Sequence, residues 1–160
     1  MIAVGLYEVV VAVHVLAVVL AFGPTFAYPF MQVAAEKREP ASIPYFWRVQ
    51  TRIDRVFVVP GAVVVLLAGL YLVATGPWTL AEPWVGSGLL IVGLLLVVVL
   101  AVLTPGERRA AELAERDLGA GGESALSDEY WAVSRRVAMV GGFASLLVVV
   151  GVVVMVLKPG

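Results

Sequence analysis

The sequence predicts an all-α membrane protein: a four-transmembrane-helix bundle with both termini on the outer side and helical connections on the inner side. Three observations carry that prediction. Of 160 residues, 61% are hydrophobic and only 14% charged, against roughly 25% charged in soluble domains. The mean hydropathy is +0.99. Residues 56–74, 85–103 and 137–157 hold no Asp, Glu, Lys, Arg or His. Each approaches the roughly 20 apolar residues that cross hydrocarbon, where only an internally hydrogen-bonded backbone is tolerated. The whole chain, 1–160, reads as one integral membrane domain.

The first span, residues 2–35, carries only Glu8 and His14 from that same set and is interrupted by Pro24 and Pro29. Its length predicts a tilted or kinked helix that emerges past the bilayer. No Lys or Arg precedes Glu36, so the positive start of a signal peptide is missing and the segment reads as a retained span. Orientation follows from the cations. Lys37, Arg38, Arg48, Arg52 and Arg55 lie between spans one and two; Arg108, Arg109, Arg116, Arg135 and Arg136 lie between spans three and four. Ten of eleven cations thus share one side, which the positive-inside rule assigns to the cytoplasm of an inner-membrane protein. Both termini are then extracytoplasmic. Trp78 and Trp84 fall in the outer turn, Trp47 and Trp131 beside the inner ends, so headgroup anchoring accounts for all four tryptophans.

The inner connections predict further helix. Ser42 and Pro44 mark a start, and Arg48, Arg52 and Arg55 follow at i, i+4, i+7 on one face, opposite Phe46, Val49 and Ile53. This helix lies on the interface or leads into span two, its arginines gripping headgroups or an anionic ligand. Arg135 and Arg136 do the same at span four. Thr104-Pro105-Gly106-Glu107 has the form of a capping box, so a new or bent helix begins there. Arg108–Glu112 and Glu112–Arg116 pairs support its exposed face. Gly119, Gly121 and Gly122 break the chain, and Ser127 caps the last helix with Asp128 and Glu129 at its positive end. Residues 46–53 align with 130–137 at a constant offset. The shared aromatic–Trp–x–Val–x–x–Arg–aliphatic pattern fits a duplicated helical hairpin or two similar aromatic belts.

Small residues mark packing faces: Gly61, Ala68 and Gly69 on span two, Gly86 and Gly93 on span three, Ala138, Gly142 and Ser145 on span four. They allow the close approach that replaces the hydrophobic effect in lipid. The contacts are internal to the bundle or form a homodimer.

Composition removes most chemistry. No cysteine excludes disulfides, thiolate metal sites and iron–sulfur clusters, and a net charge of -1 gives no nucleic-acid footprint. A zinc or copper site needs ligands that this chain lacks, and no nucleophile–base pair occurs in the spans, so neither metal nor catalytic residues are assigned. What remains is a polar face of span one: Tyr7, His14, Thr25 and Gln32 fall within ~20° of one another on an ideal helix. His14 lies near mid-span, and an ionisable group there needs a partner. It is an axial haem ligand, a proton relay or a neutral residue hydrogen-bonded to a neighbouring helix. Met31, Met139 and Met155 are the available thioethers.

Residues 7–30, with His14-Val15-Leu16-x-Val18-Val19 and Gly23, resemble the first span of a bacterial family of predicted four-span membrane proteins, a domain of unknown function. Arg135-Arg136 and the ending Met155-Val156-Leu157-Lys158-Pro159 are similar to that family's last span. The family is loosely grouped with copper-resistance D-like proteins and haem-associated protoporphyrinogen oxidases. That grouping implies haem binding at the first-span histidine, here His14. The chain departs from the oxidases at Val11, where they have lysine, and has no lysine in span three, which tells against oxidase activity. It also lacks the histidine and methionine ligands for copper import. The sequence thus predicts a bundle that is not an enzyme and acts as an interaction or accessory subunit in the lipid bilayer, with a homodimer or a membrane protein as partner. The alternative is a haem b- or quinone-binding redox protein using His14 with Tyr7.

Overall fold

The computed structural model describes residues 5–119 and 125–159. Among these, four long helices account for nearly every residue: α1 (Leu6–Arg38), α2 (Pro40–Thr75), α3 (Pro83–Gly119) and α4 (Asp128–Leu157). All four are long and apolar enough to cross a membrane. At 1.5 Å per residue, the 37 residues of α3 extend ~55 Å, well beyond a ~30 Å hydrocarbon core. The excess sits at the end that holds ten cations, the basic end; the short connection at 76–82 marks the turn end.

Proline explains where the helices deform. In α1, Gly23–Phe26 tightens to a 3₁₀ turn around Pro24, and the Thr25 hydroxyl donates to the Phe22 carbonyl at 2.7 Å. α2 and α3 each widen to one π turn, at Asp54–Val58 and Val99–Leu103. Each π turn ends two residues before a proline, Pro60 or Pro105. A proline has no amide for the carbonyl four residues back, and its ring crowds that carbonyl, so the ladder shifts register there. Of the new or bent helix expected at Thr104, the structure has the bent one: α3 runs through it behind the π turn, and Glu107 turns inward instead of capping. The helix at 43–53 likewise leads into span two without a break. Ser42 caps nothing; its hydroxyl donates to the Glu39 carbonyl. Ser127 does cap α4, accepting from the Tyr130 amide at 3.3 Å.

The apolar halves of α1 and α2 pack as one antiparallel pair, and those of α3 and α4 as another. The two pairs join at the basic end, where Ile43–Ile53 lies along Thr104–Gly119. There Ile43, Trp47, Ala110, Leu113, Ala114 and Tyr130 are at most 1% exposed. This is a dense core beyond the apolar spans, where water supplies the hydrophobic driving force that lipid does not. Trp47 is thus no headgroup anchor: its indole N–H donates to the Tyr130 hydroxyl at 3.2 Å inside that core. Trp84 is buried too, edge-on to Trp78, with the Lys158 ammonium 4.3 Å from the Trp78 ring. The aligned pairs Phe46–Trp47 and Tyr130–Trp131 both stack edge to face, yet Trp131 remains half-exposed.

The small residues divide. A Cβ on Gly61 would lie 2.6 Å from that of Ala21, and one on Gly69 3.3 Å from His14 Cε1, so both glycines set the α1–α2 approach. Gly86, Gly93 and Gly142 have no such neighbour among the described residues. Glycines without a predicted role are tight as well: Gly88 receives the Met155 methyl, and a Cβ on Gly106 would lie 2.7 Å from Val137 Cγ2.

Candidate functional site

Among the described residues two cavities share a boundary, with Phe22, Leu95 and Val148 in the walls of both. The three side chains are buried and make an apolar partition between the turn-end and basic-end halves.

The turn-end cavity, of about 480 Å³, opens between the two helix pairs. Its lining is almost wholly aliphatic and aromatic, with Tyr7, His14, Met155 and Lys158 as exceptions and Trp78 and Trp84 at the turn end. Tyr7 and His14 therefore share a face as their spacing predicts. The Tyr7 hydroxyl packs on Gly76, where a Cβ would come within 2.9 Å of it. His14 is half-buried, packed on Gly69 and within reach of the Val65 carbonyl. Its Nδ1 is buried and has no hydrogen-bond partner among the described residues. Met155 reaches this cavity; Met31 and Met139 are exposed on the bundle exterior.

The basic-end cavity is smaller, about 50 Å³, and far more polar. Thr25 and Gln32, expected to continue the His14 face, belong here, because the 3₁₀ turn at Gly23–Phe26 separates them from it. So do Tyr28, Gln50, Asp54 and Glu107. The predicted stripe Ala138, Gly142, Ser145 lines this space. Tyr28 donates to Asp54 Oδ1 at 3.0 Å, and Gln50 Nε2 to Glu107 Oε1 at 2.8 Å. Beside them, Glu36 accepts from Gln32, Tyr130 and Ser134 at 3.1, 2.9 and 2.6 Å, tying α1 to α4. Sequence reasoning missed this cluster, since Asp54 and Glu107 are 53 positions apart and each looks like an ordinary helix-end acid.

The arginines singled out by spacing lie outside both cavities. Arg48 pairs with Glu115 of α3 at 3.5 Å. Arg52, Arg55, Arg135 and Arg136 are exposed and in no ion pair among the described residues. The predicted Arg108–Glu112 and Glu112–Arg116 pairs are replaced by Arg109–Glu112 and by Arg109 and Arg116 on Glu129, which strap α3 to α4. Groups of three His, Cys, Asp or Glu able to hold a metal are absent among the described residues.

Four apolar helices around internal cavities define a four-span integral membrane protein. The sequence profile of the predicted integral membrane protein family DUF2269 matches residues 8–159, and the chain belongs to that family. No curated protein and no solved structure matches it.

Proposed function

We propose that the protein binds an uncharged lipophilic ligand of the quinone class in the turn-end cavity, with His14 as the polar anchor. The observation that carries this reading is the orphaned His14 Nδ1 within an apolar cavity of about 480 Å³. A buried polar atom without a partner costs ~1–3 kcal/mol, and a ligand carbonyl or hydroxyl recovers that cost. Ligand cavities have this general form, apolar walls with a few polar groups that fix orientation. The ligand enters sideways from lipid, between the helix pairs, and its tail lies along the aliphatic walls.

Haem b is the second reading. Its imidazole requirement fits His14, with Met155 as a thioether on the facing wall. Its two propionates fit less well, because Lys158 is the one cation among the described lining residues and already stacks on Trp78. Binding alone is proposed, without a catalysed reaction; presenting the ligand to a membrane partner, or to a second copy, is how such a bundle acts as an accessory subunit. With ten of eleven cations at one end, the positive-inside rule puts that end in the cytoplasm and both termini outside the inner membrane.

The test is titration of the detergent-purified protein with a short-chain ubiquinone analogue, read by Trp78 and Trp84 fluorescence. Saturable quenching that weakens about tenfold in His14→Ala supports the reading; that loss equals ~1.4 kcal/mol, one net hydrogen bond. A stoichiometric Soret band that disappears in His14→Ala replaces the quinone with haem. Neither signal in a folded protein removes the ligand reading.

A further inference from the structure

Asp54 and Glu107 are 3% and 0% exposed and lie within hydrogen-bonding reach of each other. Neither forms an ion pair among the described residues. Their partners are neutral donors: Tyr28 on Asp54 Oδ1, Gln50 Nε2 on Glu107 Oε1, and the Thr51 hydroxyl on Glu107 Oε2 at 3.3 Å. Two touching carboxylates do not both remain anionic unless a positive charge stands between or beside them. One shared proton still leaves a negative charge without a counter-ion among the described residues, and an isolated buried charge calls for a second proton or a bound cation.

A second, independent feature points into the same space. Gln50 is 6% exposed and lines the cavity, and its Oε1 has no donor among the described residues. A carbonyl oxygen accepts from a donor or coordinates a cation; it neutralises nothing itself. The groups gathered here are all oxygen donors, the set that suits hard cations. Each acid also sits within four residues of a π turn, Asp54–Val58 or Val99–Leu103, and such turns recur at functional sites. A cavity of about 50 Å³ has room for an ion, the single negative charge of a pair that shares one proton matches a monovalent one, and calcium asks for six to eight oxygens.

We propose that the basic-end cavity binds one small, hard monovalent cation of sodium size, coordinated by Gln50 Oε1 and the Asp54–Glu107 carboxyl pair. The ion completes charge neutrality at the pair and satisfies the orphaned amide oxygen. Sodium has no other role assigned in the bundle, and the site is separated from the His14 cavity by Phe22, Leu95 and Val148.

The experiment is equilibrium dialysis of the detergent-purified full chain against ²²Na⁺ in choline chloride at fixed ionic strength. A thermal melt is run over the same NaCl series. Expected are one sodium per chain at saturation, a melting temperature that rises with NaCl, and loss of both in Glu107→Gln and Asp54→Asn. Those isosteric variants keep the neighbouring hydrogen-bond groups and remove charge, and their melts in choline alone report whether they fold. If either misfolds, Gln50→Leu serves in its place. Absence of saturable uptake by the wild type overturns the proposal and leaves an ordinary water in the cavity. Undiminished uptake in the folded variants, or displacement of sodium by equimolar calcium, overturns it as well.

Discussion

The two halves of this bundle bury polarity in opposite ways. The turn-end cavity is large and apolar and contains one imidazole; the basic-end cavity is about a tenth its size and holds two carboxyl groups, two amides and a phenol. Among the described residues, two buried side-chain atoms lack a hydrogen-bond partner, His14 Nδ1 and Gln50 Oε1, and each cavity has one of them. Buried orphans are uncommon in native structures. One unpartnered polar atom thus lies on either side of Phe22, Leu95 and Val148, the arrangement on which the two proposed sites rest.

Removing the partition would join the two cavities. Phe22→Ala deletes a buried ring shared by both cavities and is expected to destabilise by ~3 kcal/mol. In the surviving folded fraction, sodium and quinone titrations are expected to become mutually dependent, and those of the wild type to be independent. Next is the helix approach that frames the turn-end cavity. Gly61→Ala sets a methyl against Ala21 with no room for it, costing ~1–3 kcal/mol, whereas Gly93→Ala meets open space and stays within ~0.5 kcal/mol; melts in detergent compare the two directly. At the basic end, Trp47→Phe removes the indole donor to Tyr130 while Glu36 still accepts from that hydroxyl. That change costs ~1 kcal/mol and leaves quinone affinity unaltered. The smallest effect belongs to Glu129→Gln, which releases the exposed Arg109 and Arg116 strap. Its shift in melting temperature fades as salt is added, as screened surface pairs do.

The four spans were legible because lipid imposes length and composition on any helix that crosses it, and residues 56–74, 85–103 and 137–157 satisfy both without a charge. Tyr7 and His14 were legible as a pair because seven residues are close to two helical turns. Thr25 and Gln32 were not, because Pro24 resets the phase. The capping-box reading of Thr104–Glu107 failed for a related reason. Pro105 is accommodated by the π turn ahead of it, the helix continues, and Glu107 is free to face inward. Trp47 and Trp131 carry the same local pattern, yet one is in a core and the other is half-exposed, since burial here depends on the packing of Ile43–Ile53 against Thr104–Gly119. The Asp54–Glu107 contact had no local signal. It exists only because the basic-end parts of α2 and α3 pack side by side.

The most direct test of separate sites is one quinone titration, read by tryptophan quenching, run in parallel on wild type, His14→Ala and Glu107→Gln. Two independent cavities predict about tenfold weaker binding in His14→Ala and affinity within twofold of wild type in Glu107→Gln. Equal losses in both variants, or none in His14→Ala, would contradict a His14-anchored site isolated from the carboxyl pair.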